Sequence, residues 1–289
     1  MPETNYLTTK EVARLCRVSD ATVKRWQDAG FLKSERTSGR HRRFRAEEVA
    51  RFQRQQGLGQ KVCHGYKSVL FSAGRLKNKT ASDSSLFDLM IAGCEEETAN
   101  FLIGAYLQGA ALNAIFDDVL CPALRRVGEL WHRGELSITQ EHLATRAAQY
   151  AVHKLRASLP LPEMNGKTAF CAAFEGDLHE LPTYLAQLTI ENEGWEVLNF
   201  GANTPLFSLN DEILQYTPHV VCISATYFTE LERLTRDYRE FREITLKLKI
   251  PVILGGKIFN DSDIRRRFPA EIYAESFAEV TDFVARLAE

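Results

Sequence analysis

Three kinds of hydrophobic periodicity follow one another along the chain, and each predicts a different architecture. In the first stretch apolar residues fall in short helical clusters. Thr8 followed three residues later by Glu11 has the spacing of a capping box, which opens a short helix with Val12, Ala13 and Leu15 on its buried side. A turn at Cys16 to Val18 leads to Ser19, a hydroxyl suited to an N-cap, and the helix DATVKRWQDAG ends at Gly30. Next, GRHRRF (39–44) reads as a basic turn between extended segments, and a closing helix from Ala46 to about Gln56 carries Val49 and Phe52 inward. Residues 57–82 are rich in Gly, Ser and Lys, the composition of a linker.

From about Ser84 to Ser158 the spacing becomes that of amphipathic helices: LFDLMIAG, ANFLIGAYLQG, LNAIFDDVLCPALRRVGELW and ITQEHLATRAAQYAVHKL. Four helices with short connections predict an antiparallel four-helix bundle. After LPLPEMNGK (159–167), strand and helix alternate: TAFCAAF, a helix over 180–193, EVLNFG, a helix over 206–215, HVVCISAT, a helix over 229–248, PVILGG, a short helix near 262–268, EIYAES and a final helix. Five mostly apolar strands separated by helices predict a buried, doubly wound parallel sheet. In the flavodoxin-like (Rossmann-type) order 2-1-3-4-5, ligands sit beyond the carboxyl ends of strands 1 and 3. The chain thus reads as multidomain α and α/β, with domains over 1–70, 80–160 and 167–289.

Charge sharpens the first of these. The net charge of −2 hides a surplus of +6 over residues 1–56, which leaves −8 on the remainder. A locally basic module points to a polyanionic partner. The six cysteines are never closer than 27 residues, so there is no CxxC pair for zinc and no disulfide framework; they read as small buried side chains in a reducing cytoplasm. No run of 18 apolar residues occurs, and MPETNYLTTKEVARL lacks a basic stretch followed by an apolar one, so neither membrane insertion nor export is expected.

Two short helices joined by a tight turn make a helix-turn-helix, whose second helix offers Thr22, Lys24 and Arg25 to a major groove. GRHRRF, with Arg40, His41, Arg42 and Arg43, follows as a wing against the backbone. Through LTTKEVARL, SDATVKRWQDAGFL and GRHRRF, about 70 residues resemble the MerR family of winged-helix transcription regulators. That resemblance implies a dimer on a pseudo-palindromic operator in double-stranded DNA, with Arg40, Arg42 and Arg43 as phosphate contacts.

At the strand ends, His179 follows strand 1, Ser224 and Thr226 close strand 3, and Gly255 with Gly256 closes strand 4. Strands 1, 3 and 4 are neighbours in the expected order, so all three features line one crevice. Neutral imidazole is a common metal ligand, and Asp177 is placed to fix its tautomer and raise its basicity. These residues resemble the cobalamin-binding domain of methionine synthases and mutases, whose pattern is DxHxxG, then SxT or SxL, then GG. Asp177 and His179, Ser224 and Thr226, and Gly255 and Gly256 match, which implies His179 as the cobalt ligand and a channel beside the serine and glycines for the cofactor's displaced tail. Pro182 departs from the pattern's glycine; proline is accommodated in the first turn of a helix.

In the bundle, WHRGELSITQEH brings Trp131 and His132 at one helix end opposite Glu141 and His142 in the first turn of the next. With the domain order, this resembles the cobalamin-dependent photoreceptor class known as CarH or LitR. The resemblance implies adenosylcobalamin between bundle and sheet, with Trp131, Glu141 and His142 around the adenosyl group and His132 as the ligand that replaces it after light. It further implies a dark homotetramer of paired dimers that represses its operator and splits on illumination. The chain is therefore read as a cytoplasmic regulator and not an enzyme. Two alternatives stay open: a MerR-type regulator answering to another corrinoid, chromophore or protein, and a cobalamin-dependent methyltransferase module. His64, His153 and His219 are read as structural or exposed.

Overall fold

Side-chain periodicity settles into eight strands and their intervening helices in the computed structural model, which describes residues 6–16, 18–36, 41–45, 48–49, 52, 86–160 and 162–288. Arg40, His64, the 57–82 linker and most of the 46–56 helix lie outside the described residues. The chain divides into two compact units, Met1–Lys67 and Ser68–Glu289.

In the first unit, strand β1 (Tyr6–Thr8) runs into helix α1 (Thr9–Cys16), and α2 (Asp20–Asp28) is followed by β2 (Glu35–Arg36) and β3 (Arg42–Arg45). The sheet order is β1-β3-β2, both pairs antiparallel. Both helix starts are set by side chains. The Thr8 N–H donates to Glu11 at 2.7 Å while Thr8 Oγ1 accepts the Glu11 N–H at 3.3 Å, and Ser19 Oγ accepts the Thr22 N–H at 3.2 Å. Val12, Ala13, Val23, Leu32, Phe44, Val49 and Phe52 share one buried core.

In the second unit the described residues begin with a helix over 86–91, α3, followed by α4 (Glu95–Leu107). Then α5 (Leu112–Ile115) runs through a π-helical turn (Phe116–Leu120) into α6 (Cys121–His132), and α7 is Ile138–Arg156. Pro122 explains the irregularity: it has no N–H to donate and its ring crowds the preceding turn, so the ladder widens and Cys121 donates to Phe116. On α7 the row Ala144, Ala147, Ala148 and Ala151 is fully buried, small enough for close packing against α4.

Five strands follow, β4 (Thr168–Ala173), β5 (Glu196–Asn199), β6 (Val220–Ser224), β7 (Val252–Gly255) and β8 (Ile272–Ala274), all parallel in the order β5-β4-β6-β7-β8. This is the expected 2-1-3-4-5. Helices α8 (Leu181–Asn192), α9 (Leu206–Tyr216), α10 (Leu231–Leu248), α11 (Ser262–Arg267) and α12 (Phe277–Ala288) cover its faces. Alternation along β4 feeds both faces: Phe170, Ala172 and Phe174 join an aromatic core with Tyr238, Phe241 and Phe268, whereas Ala169 and Cys171 face Trp195 and Val284.

Bundle and sheet share a core as well as a chain. Leu181, Leu185 and Leu188 of α8 belong to the same buried cluster as the helices over 86–156. Cys16, Cys171 and Cys222 are buried and outside any disulfide, as expected. Cys94, by contrast, is disulfide-bonded, which the wide cysteine spacing did not anticipate. Among the described residues, no helix is long and apolar enough to cross a membrane.

Candidate functional site

Parallel strands place all their carboxyl ends at one edge, and the loops after β4, β6 and β7 meet there. At the centre is Asp177, whose side chain is fully buried. Its Oδ1 accepts the His179 N–H at 3.0 Å and meets His179 Nδ1 at 2.7 Å, while Oδ2 accepts the Thr226 N–H. Burial alone would push the Asp177 carboxyl up, but the hydrogen bonds from the His179 ring and from the Thr226 and His179 amides outweigh it and hold it below the usual range. For His179 the bond to Asp177 dominates over burial and raises its proton affinity, with smaller contributions from the charges of Asp177 and Glu141.

A carboxylate on Nδ1 selects the tautomer that leaves the lone pair on Nε2. That imidazole is half exposed, at 52%, so Nε2 is free for a ligand outside the chain. Tyr227, also exposed, sets its ring edge-on to the imidazole with centroids 5.7 Å apart.

Beside this pair the sheet edge is lined with small residues. Ala173, Ser224, Gly255 and Ala274 are successive register partners across β4, β6, β7 and β8, so their side-chain positions form one row. Within it Ser224 Oγ is buried and has no hydrogen-bond partner among the described residues. An orphaned buried hydroxyl carries a free-energy cost that a bound acceptor or donor would relieve. Gly256, at φ +104°, keeps the wall close: a β carbon there would lie 2.3 Å from the Ala225 carbonyl oxygen.

The bundle contributes from its own end. Trp131 and His132, both exposed, close α6, and Gly134 takes φ +74° in the turn. Ser137 and Gln140 form the expected capping box at the start of α7. Glu141 accepts a hydrogen bond from Thr145 Oγ1 at 2.8 Å, and His142 Nε2 lies 3.7 Å from its other oxygen. Trp131, Ile138, Leu143, Leu178 and Tyr227 expose large apolar surfaces, drawn from both the bundle and the sheet loops.

Pro182 occupies the first turn of α8, where no N–H is needed, so it fits the loop that carries His179. Thr226 serves Asp177 through its main-chain N–H. Asn203, Tyr227 and Asp117 were not singled out by sequence. Asn203 gives only the faint signal of an Asn in a Gly- and Pro-bounded turn, and Asp117 gives none, because its partners lie 160 residues away.

In the first unit, Lys24 and Arg25 are exposed on α2, and Arg25 donates to Thr22 Oγ1 at 3.2 Å. His41 is exposed. Arg42 already pairs with Asp28 at 3.1 Å, and Arg43 donates to the Arg42 carbonyl, so neither guanidinium is wholly available to a phosphate in this arrangement.

Comparison with known proteins is in register with these units. The helix-turn-helix domain family matches residues 6–57, and the B12 binding domain family matches residues 84–156. Dimethylamine corrinoid protein 2 of Methanosarcina mazei is 23% identical over 167 residues, 57% of this chain and 78% of that protein. The HTH-type transcriptional repressor CarH of Myxococcus xanthus is 29% identical over 141 residues, 49% of this chain but only 46% of the repressor. Among solved structures, the monomethylamine corrinoid protein of Methanosarcina barkeri aligns over its whole length with 73% of this chain, at a TM-score of 0.62 and 17% identity, a likeness of fold. The chain therefore joins a helix-turn-helix domain to a B12 binding domain and a doubly wound parallel sheet.

Proposed function

We propose that this protein is a light-responsive transcriptional repressor that binds adenosylcobalamin and operator DNA. The observation that carries the corrinoid half is the Asp177–His179 pair beside the unsatisfied Ser224 hydroxyl. A buried carboxylate orients one imidazole with its free nitrogen outward, and a row of small residues runs from it across the sheet edge. That donor set suits a metal held by a single protein nitrogen and carried in a large, partly apolar ligand. Helix-turn-helix residues 6–57 supply the DNA half.

In this reading His179, steadied by Asp177, would hold the cobalt. Ser224, Gly255 and Gly256 accommodate the displaced nucleotide tail, with the Ser224 hydroxyl gaining the partner it lacks. Trp131, Glu141 and His142 would line the site from the bundle, and His132, exposed at the end of α6, would be a second imidazole available to it. When bound, adenosylcobalamin supplies a cobalt–carbon bond that visible light breaks; the protein contributes placement and a two-state assembly that the upper group biases. Thr22, Lys24, Arg25 and the basic segment Arg40–Arg43 are the DNA-facing residues, in a cytoplasmic homotetramer of paired dimers that comes apart in light.

Size-exclusion chromatography of the full chain with adenosylcobalamin, in the dark and after illumination, tests the reading. The expected result is a large dark species that retains the cofactor and a smaller illuminated one, with His179→Ala losing retention. Equal elution in both conditions would sink the light response, and equal retention by the variant would sink the ligand assignment. The corrinoid-protein relatives favour a second reading, a methyl-carrying module that serves a separate methyltransferase. It predicts retention of methylcobalamin without any specific DNA binding.

A further inference from the structure

The loop that carries Asp177 and His179 is clamped from both sides, and the second clamp is Asn203. Beyond the ends of β4 and β5 the two chains stay zipped: the Ala173 N–H donates to the Gly201 carbonyl at 2.8 Å, and the Thr204 N–H donates to the Ala173 carbonyl at 3.0 Å. Asn203 then makes two bonds to the ligand loop. Its N–H donates to the Asp177 carbonyl at 2.9 Å, and its Oδ1 accepts the Gly176 N–H at 2.8 Å.

Both bonds depend on left-handed backbone, φ +54° at Asn203 and +85° at Gly176. Asparagine is one of the few residues other than glycine that adopt it readily. On the opposite side Thr229 closes against Gly176, where a β carbon would lie 2.6 Å from Thr229 Oγ1. The Asp177 carboxylate has to serve the His179 ring with one oxygen and the Thr226 amide with the other. It can do both only if its own main chain is held in one orientation, and Asn203 holds the carbonyl of Asp177 and the amide before it.

We propose that Asn203 is a positioning residue for the axial imidazole: by pinning Gly176 and Asp177 it aims Nε2 of His179 at the metal. This rests on the corrinoid reading of the site. Asp177, the direct partner of the metal-binding histidine, stands where substitution typically changes metal affinity by about 10–100-fold; Asn203 acts one step further out, through the main chain of Gly176 and Asp177, so its effect belongs at or below the low end of that range. Asn203 thus supports Asp177 from a different loop.

The test uses the full chain made with histidine carrying the spin-one-half nitrogen isotope, loaded with hydroxocobalamin and reduced to cob(II)alamin. An axial protein imidazole then splits the cobalt resonances into doublets, which neither the corrinoid's own base nor a merely folded pocket can produce. Asn203→Gly keeps the left-handed backbone and loses only the Oδ1 acceptor; Asn203→Asp keeps both. The expected result is a doublet in the wild type, a weakened doublet with retention poorer by up to about tenfold in Asn203→Gly, and recovery in Asn203→Asp. Wild-type doublet and retention in Asn203→Gly overturn the proposal alone. A wild-type protein that retains cob(II)alamin without the doublet, or retains none, overturns the His179 assignment and the proposal with it.

Discussion

Two adjacent glycines at the end of β7 do different work, and substitution separates them. Gly256 sits at φ +104° with the Ala225 carbonyl oxygen 2.3 Å from where a β carbon would be, so alanine there must displace main chain. Gly256→Ala should cost on the order of 2–3 kcal/mol in urea unfolding, the range for a strained position with a backbone clash. Gly255 has ordinary backbone, and its β carbon would stand 3.4 Å from the Ala274 carbonyl oxygen. Gly255→Ala should therefore change stability by less than about 1 kcal/mol yet add a methyl to the row beside Ser224, weakening hydroxocobalamin retention in equilibrium dialysis. Unaltered retention would mean that the row of small residues does not hold the cofactor's tail. Residues of this kind were legible in sequence where the constraint is local. Asp177 and His179 are two apart, and the paired glycines mark themselves. Asn203 was not legible, because its meaning comes from a loop that only the β4–β5 pairing brings beside it.

Elements were read well where a periodicity is long and poorly where geometry is irregular. The five parallel strands and their order follow from apolar runs separated by helices, and the α7 capping box from Ser137 and Gln140. The π turn at Phe116–Leu120 was missed, since one proline in a helical pattern does not say which adjustment the ladder will make. Its consequence is structural. Within this turn Asp117 accepts the Phe277 N–H at 2.8 Å and the Ala278 N–H at 3.0 Å, so a bundle carboxylate caps the last helix of the sheet layer, where the helix dipole favours negative charge. Asp117→Ala should cost about 1–2 kcal/mol, as for loss of an N-cap, and a variant as stable as wild type would show the cap to be idle. Burial outweighs those two amides and raises the Asp117 carboxyl above its ordinary value. The folded state thus binds this proton more tightly than the unfolded chain, so its contribution to stability is greatest below the ordinary carboxyl value and falls as pH climbs to the raised one. Asp117→Asn should flatten that part of the stability profile; an unchanged slope assigns it to other groups.

Across the whole molecule, the surplus of +6 on residues 1–56 against −8 elsewhere means that a polyanion is drawn to the helix-turn-helix residues and repelled by the remainder. DNA affinity then reports on how many first units a complex contains. The slope of log Kobs against log salt is about −0.9 for each phosphate neutralised, summed over every copy that touches the duplex. If light splits the proposed dimer of dimers, the number of copies available is halved, so the slope with adenosylcobalamin should be roughly twice as steep in the dark as after illumination. Lys24, exposed on α2 and, among the described residues, without the internal pairing that occupies Arg42, calibrates the count. Lys24→Ala should flatten the dark slope by about 0.9 for each bound copy that uses it, and by half as much in total once light has acted. If the dark and illuminated slopes coincide, light does not change the number of DNA-contacting units, and the proposed light-driven disassembly is wrong.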